Sequence, residues 1–239
     1  MLEILYQDEH LVAINKPAGL LVHRSWIDRH ETQFALQMVR DQIGQRVYPF
    51  HRLDKPTSGI LLFGLNPDIA RLMTVAFTHH HTKKHYLAVV RGYTPPQAVI
   101  DYPLKEQLDK IADRQADQQK AAQTALTEYQ RVATVELPHP VGRYPSARYS
   151  VVELTPTTGR KHQLRRHMKH IFHPIVGDTT HGDGKHNQLF RQVLDCHRLL
   201  LHAVKLNFNH PLSGKALSIE APLDETFSRI IKVFYKKTP

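Results

Sequence analysis

Cysteine is almost missing from this chain. Cys196 stands alone among 239 residues, which excludes an internal disulfide, leaves no thiolate cluster for a structural zinc site and fits a reducing cytosol. A lone thiol of this kind reads as a core residue. Long apolar runs are missing as well: no stretch approaches the roughly 20 apolar residues that span a bilayer, so a soluble protein with no membrane partner is expected. Met1-Leu2-Glu3-Ile4-Leu5-Tyr6 has neither a basic leader nor an apolar stretch long enough for a signal peptide, and the cytoplasm is the expected location. Repeats and low-complexity tracts are absent. Acidic residues are in deficit, with 22 Asp+Glu against 32 Lys+Arg, a formal charge of +10 and a pI near 9.7. That balance favours a polyanionic partner, nucleic acid first, although membrane surfaces and acidic proteins also attract cations and the arrangement of the arginines must decide.

What is present is an ordinary globular chain. A hydrophobic fraction of 41% and an aromatic fraction of 8% argue against disorder, and the length is ample for one large core. Leu2 to Tyr6 and Leu11 to Asn15 read as short strands around a turn at Gln7 to His10, after which Lys16-Pro17-Ala18-Gly19 breaks the chain. That loop is either purely architectural or packed beside the segment around Asp54. Helical spacing at Phe34, Met38 and Ile43 predicts a helix within Glu31 to Val47. Asn66 and Pro67 open a second, whose core stripe is Ile69, Leu72, Met73, Ala76 and Phe77.

His85 to Val90 reads as a strand that places Tyr86, Ala88 and Val90 on one face. Lys105 to Ala122 is polar enough to be a solvated helix or mobile insertion. Strands follow at Ala125 to Val135, Arg148 to Leu154, Leu199 to Phe208 and up to Ile219. Gly182-Asp183-Gly184-Lys185 is expected as a flexible loop, and Asp224 caps a last helix carrying Phe227, Ile230, Ile231 and Phe234. Turns too short for crossovers join several strand pairs, so the expected class is α+β with a largely antiparallel sheet. No linker divides the chain, and residues 1–239 are read as one domain.

Two stretches carry candidate chemistry. His51-Arg52-Leu53-Asp54-Lys55-Pro56-Thr57-Ser58-Gly59 sets one carboxylate among cations, hydroxyls and chain breakers, directly before the apolar run Leu61-Leu62-Phe63. Asp54 can cap a turn, or it can be a nucleophile or base kept ionised by a guanidinium from elsewhere. Arg160-Lys161-His162-Gln163-Leu164-Arg165-Arg166-His167-Met168-Lys169-His170 is the densest cationic run. Leu164 and Met168 can anchor it as a helix whose N-terminal end faces phosphate or a carboxylate, or the run is a solvated face. His79-His80-His81 invites a metal, but adjacent helical histidines diverge and Lys83 and Lys84 repel a cation.

Several segments resemble, in order, the RluA-type pseudouridine synthases: Asn15 to Leu20, His51 to Asp54 with Thr57-Ser58-Gly59, Lys84 to Gly92, and Gly159 to Arg165, with Leu201-His202-Ala203, His210 to Gly214 and Glu220 to Leu223 later. The resemblance implies Asp54 as catalytic aspartate, Tyr86 as the active-site tyrosine against the target base with a hydroxyl available for the C5 proton, and Arg165 as the ion-pair partner of Asp54. It implies a bent mixed sheet in two halves flanked by helices, with the active site in a central cleft. Arg52, Lys84, Arg160, Lys161, Leu164 and Arg166 are the candidate substrate or RNA contacts. The implied reaction isomerises uridine to pseudouridine without cofactor, metal or energy source.

His23-Arg24-Ser25-Trp26 departs from the His-Pro pair common in the family. Asp101 through Tyr144-Pro145, with a subgroup insertion over 104–124, looks like the subgroup that modifies the uridine conventionally numbered 65 in tRNA, and no N-terminal S4-type RNA-binding domain is expected. The expected partner is tRNA, and the expected state a monomer. The alternatives are a family member acting on another tRNA or rRNA uridine, a non-catalytic RNA-binding protein, and a metal-dependent RNA hydrolase built on the histidines.

Overall fold

The computed structural model describes residues 1–24, 31–106 and 121–235. In chain order its elements are β1 (Glu3–Gln7), β2 (Leu11–Lys16), α1 (Ala35–Ile43), β3 (Tyr48–Pro49), β4 (Ser58–Gly64), α2 (Pro67–Thr78), β5 (Lys83–Arg91), β6 (Gln97–Asp101), β7 (Leu126–Leu137), β8 (Ala147–Pro156), α3 (Gln163–His170), α4 (Gly184–Leu194), β9 (Leu201–Asn209), β10 (Ala216–Glu220) and α5 (Glu225–Tyr235). The strands form one ten-stranded sheet in the order β1-β2-β4-β9-β5-β8-β7-β6, with β3 added to β4 and β10 to β9. Among the described strands every pairing is antiparallel except β4 with β9. The α+β reading with a mixed, mainly antiparallel sheet holds.

That one parallel pairing joins the two halves of the sheet and is only two residues long, Ser58 to His202 and Gly59 to Ala203. Its closeness requires glycine. Gly59 has φ +107, and a Cβ there would lie 2.3 Å from the Ala203 carbonyl oxygen, so any side chain would force the halves apart. Side chains clamp the same seam: Arg198 Nη2 donates to Ser58 Oγ at 2.6 Å, and Ser58 Oγ meets His202 Nδ1 at 2.6 Å. The loop carrying Asp54 runs directly into this junction.

Helices cover the apolar faces. Asn66 accepts the Ile69 amide at 2.9 Å to start α2, and Ile69 and Met73 pack with Leu11, Ile60, Leu62 and Phe208. Each such buried side chain is worth roughly 1.5–3 kcal/mol. The stripe predicted for α2 is too wide, because Leu72 is exposed: strand β4 covers a narrower strip of the helix than the five apolar positions span. α1 starts at Ala35 after Phe34 and ends at Gly44, whose φ is 71. α5 is capped by Asp224, which accepts the Phe227 amide at 2.9 Å, and buries Phe227, Ile230 and Phe234 against Tyr149, Val151 and Phe190.

The segment read as a flexible loop at Gly182 to Lys185 is instead the start of α4, since Asp183 Oδ1 accepts the Lys185 and His186 amides. Two glycines hide a good N-cap there, and Leu189 and Phe190 anchor the helix in the core. Strand β6, paired with β7, was not foreseen either. Leu104 and Gln123 pair across the base of the 104–124 segment, whereas 107–120 and Ser25-Trp26 lie outside the described residues.

Candidate active site

The Asp54 loop is tied down from below by a buried cation. Lys16, at the end of β2, is fully buried and donates through Nζ to the carbonyls of Pro17 at 3.0 Å, Leu20 at 2.8 Å and Lys55 at 3.1 Å. The Gly19 amide also donates to the Lys55 carbonyl, so the Lys16–Gly19 loop is packed beside the Asp54 segment. Burial, with Arg198 nearby, lowers the Lys16 pKa to about 7 against the attraction of Asp54. At the other end His51 accepts the Leu62 amide on Nε2 at 2.8 Å and stacks on Phe77 at 4.7 Å. Burial, with Lys84 nearby, drops its pKa to about 3; His51 is a neutral strut.

The turn after Asp54 is closed by its backbone carbonyl, which accepts the Thr57 amide at 3.0 Å. The carboxylate does not cap it. Asp54 Oδ2 instead accepts from Arg165 Nη1 at 3.2 Å, and Oδ1 lies 3.9 Å from His162 Nε2. The guanidinium predicted to reach Asp54 from a distant segment does so.

Arg165 sits on α3, whose inner face of Gln163, Leu164, Arg165, His167 and Met168 is buried, so the run is not a solvated face. Gln163 fixes the entry to the helix: Thr158 Oγ1 and the Arg160 amide donate to its carbonyl, and its amide donates to the Leu126 carbonyl. Arg165 is held from behind by a carboxylate that sequence reasoning missed. Its Nε and Nη2 donate to Asp178 Oδ2 and Oδ1 at 2.7 and 2.8 Å, and Asp178 Oδ1 also accepts the Thr180 and His181 amides. Burial disfavours the charge on each partner, but their hydrogen bonds and mutual attraction prevail, lifting the Arg165 pKa and lowering that of Asp178.

Tyr86 reaches the same place from β5. Ala203 is the register partner of both Gly59 and Tyr86, so Tyr86 stands in the row of the half-sheet junction. The β5–β9 register shifts between His85 and Tyr86, where Val204 of β9 is the extra residue, an irregularity of the kind common beside active sites. Burial, then the nearby Asp54 carboxylate, push the Tyr86 hydroxyl above the ordinary phenol range.

Asp54, Tyr86 and Arg165 line a cleft of about 890 Å³, together with Arg52, Lys84, Arg160, Lys161, His162 and Leu164. Burial lowers the Lys84 pKa. Arg160 is braced by the Thr124 carbonyl at 3.0 Å. Arg166 departs from expectation: it does not line the cleft but lies on the outer side of α3 near Tyr102, because residues adjacent on a helix diverge by about 100°. Among the described residues no cluster of His, Cys, Asp and Glu is arranged to hold a metal ion, and no helix is long and apolar enough to cross a membrane. His162 and His181 were missed as a pair; a histidine three residues before the helix arginine was the only sequence signal, and nothing adjacent to it pointed to His181.

The site is thus an aspartate held by a back-braced arginine and overlooked by an aromatic ring, in a cationic cleft at the seam between the two halves of the sheet. Comparisons with known proteins agree. A model of the RNA pseudouridylate synthase family matches residues 10–170. The chain is 57% identical over 234 residues to tRNA pseudouridine synthase C of Vibrio cholerae, covering 98% of this chain and 96% of that one. It is 56% identical over 233 residues to the protein of the same name from Vibrio parahaemolyticus, covering 98% and 95%. Among solved structures, human RNA pseudouridylate synthase domain containing 4 superposes with a TM-score of 0.71 at 26% identity, over 99% of this chain and 94% of that one. With these matches spanning the Asp54, Tyr86 and Arg165 segments alike, the chain belongs to the RNA pseudouridylate synthase family.

Proposed function

We propose that this protein isomerises uridine to pseudouridine in tRNA, at the uridine conventionally numbered 65, with Asp54 as catalytic aspartate, Arg165 as its ion-pair partner and Tyr86 as the ring against the target base. The observation that carries this reading is the Arg165–Asp54 contact at 3.2 Å inside a cleft. The reaction detaches uracil at N1, turns it while bound and rejoins it to the ribose through C5. A uridine in a stem must leave its stack first, at a cost of a few kcal/mol. Stacking on Tyr86 and phosphate contacts from Arg52, Lys84, Arg160 and Lys161 offset that cost. Arg166, on the outer side of the helix, is left to more distant backbone contacts.

The tRNA substrate is supported by the names of relatives sharing more than half of their residues with this chain along almost its whole length. Position 65 is supported by the likeness of the Asp101 to Pro145 stretch to one subgroup. We read residues 1–239 as one catalytic domain acting as a monomer in the cytoplasm, without cofactor or metal. The decisive measurement is tritium release from tRNA carrying 5-tritiated uridine, performed in chelator, with pseudouridine mapping of the product. Release with intact RNA and a single new pseudouridine at position 65 is expected. Binding without release would leave only an RNA-binding protein, strand breaks would indicate a hydrolase, and a pseudouridine elsewhere would move the target.

A further inference from the structure

A strained histidine faces the unpaired oxygen of Asp54. His162, directly before α3, has φ 55, a left-handed conformation costing a non-glycine residue about 1 kcal/mol. The strain places its ring in the cleft, with Nε2 3.9 Å from Asp54 Oδ1. The other ring nitrogen is held: His162 Nδ1 lies 3.0 Å from Nε2 of the buried His181. The His181 amide in turn donates to Asp178 Oδ1 at 2.9 Å, the carboxylate that also grips Arg165. The ring is therefore oriented by the same framework that orients the Asp54 pair, and strain retained at such a place points to a role.

We propose that His162 is a catalytic residue: the base that takes the C5 hydrogen of the target uracil after C5 has joined the ribose. The assignment rests on the isomerase reading above. When C5 bonds to C1′, uracil holds an N1=C6 double bond and a hydrogen on a saturated C5. That hydrogen leaves as a proton to His162 Nε2, the C5–H electron pair becomes the C5=C6 bond, the N1=C6 pair returns to N1, and N1 takes a proton. The net change is one proton moved from C5 to N1, which a single imidazole can mediate and no co-reactant need supply. C5 is bonded to the ribose carbon at which Asp54 works, and N1 lies two bonds from C5 across C6, so the base must stand beside Asp54, as His162 does.

To act as the base His162 takes the tautomer in which Nδ1–H donates to His181 Nε2 across the 3.0 Å contact, leaving the Nε2 lone pair open to the cleft; once protonated, Nε2–H faces the Asp54 carboxylate. Burial keeps both rings neutral, lowering the His162 pKa against the attraction of Asp54 and bringing that of His181 to about 4. The Tyr86 hydroxyl, pushed the other way by burial, is a poor base. The charged or titratable groups facing His162 are Asp54, Arg165, Lys161, Asp178 and His181.

The test uses the full chain with tRNA bearing 5-protiated or 5-deuterated uridine. His162→Gln keeps length and polarity but cannot accept a proton. Single-turnover isomerisation is expected to slow about a hundredfold, tRNA affinity to stay within about twofold, and the deuterium effect to rise to several-fold as C5–H cleavage becomes limiting. The acid limb of the wild-type rate profile, expected below pH 6.5, should vanish. A wild-type rate, or slowing with no rise in the deuterium effect, would overturn the assignment. If His162→Gln does not fold, His181→Asn decides: a raised deuterium effect with unchanged affinity supports the relay, and an unchanged effect refutes it. A wild-type protein that binds tRNA but releases no C5 hydrogen would remove the isomerase reading itself, and this assignment with it.

Discussion

Two carboxylates share one guanidinium in this molecule, and they are not equivalent. Asp178 takes Nε and Nη2 of Arg165 at 2.7 and 2.8 Å, accepts two backbone amides and is 1% exposed. Asp54 takes only Nη1, at 3.2 Å, and is 19% exposed. The first is saturated and dry, whereas the second keeps an oxygen directed to the cleft. A bidentate pair fixes the plane of a guanidinium as well as its charge, so Asp178 spends its bonding on aim while Asp54 stays available to substrate. Chemistry and support are assigned to identical side chains by the number of partners each is given.

Exchanging each carboxylate for its amide separates the two roles. Asp54→Asn should give the largest effect: loss of isomerisation by more than about a thousandfold, with tRNA binding and melting temperature close to wild type because the lost contact is single and partly solvated. Asp178→Asn should show the reverse balance. Removing one partner of a buried pair costs roughly 3 kcal/mol, readable as a lower denaturant midpoint, while turnover falls only about tenfold to a hundredfold and the KM for tRNA hardly moves. If Asp178→Asn proved as inactive as Asp54→Asn and equally stable to wild type, the contrast between working and supporting carboxylates would collapse.

How much of this was legible depended on whether partners lie near each other in sequence. The Asp54 nonapeptide, the caps at Asn66 and Asp224 and the Leu164–Met168 anchor are local signals, and each appears as read. Arg165 was reachable only through family resemblance, since the 111 positions separating it from Asp54 carry no periodicity. Asp178 and His181 were hidden for a different reason: Gly177 and Gly182 flank them and mimic a plain turn. In fact a Cβ at Gly177 would come within 1.9 Å of the Arg198 carbonyl oxygen, so the glycine marks a close backbone approach. Leu72 and Arg166 were misplaced because helical spacing gives a face but not how wide a strip the neighbouring sheet will cover.

The contrast between saturated support and open chemistry extends to Lys16, whose ammonium is enclosed by three carbonyls beneath the Asp54 loop. Its pKa falls from the ordinary 10.5 to about 7, so between those values the unfolded chain binds a proton at Lys16 that the folded protein has released. Stability must then rise with pH across that window, by about 2 kcal/mol from pH 7 to 9. Other groups also titrate in this range, so the useful quantity is the difference from Lys16→Met, which removes the ionisable group and fills similar volume. Urea midpoints measured at pH 7 and 9 should converge or diverge by that amount, with wild type gaining on the variant as pH rises. Parallel behaviour would mean that the three carbonyls hold the ammonium charged throughout, making Lys16 a second saturated charge of the Asp178 kind rather than a buried amine near its titration point.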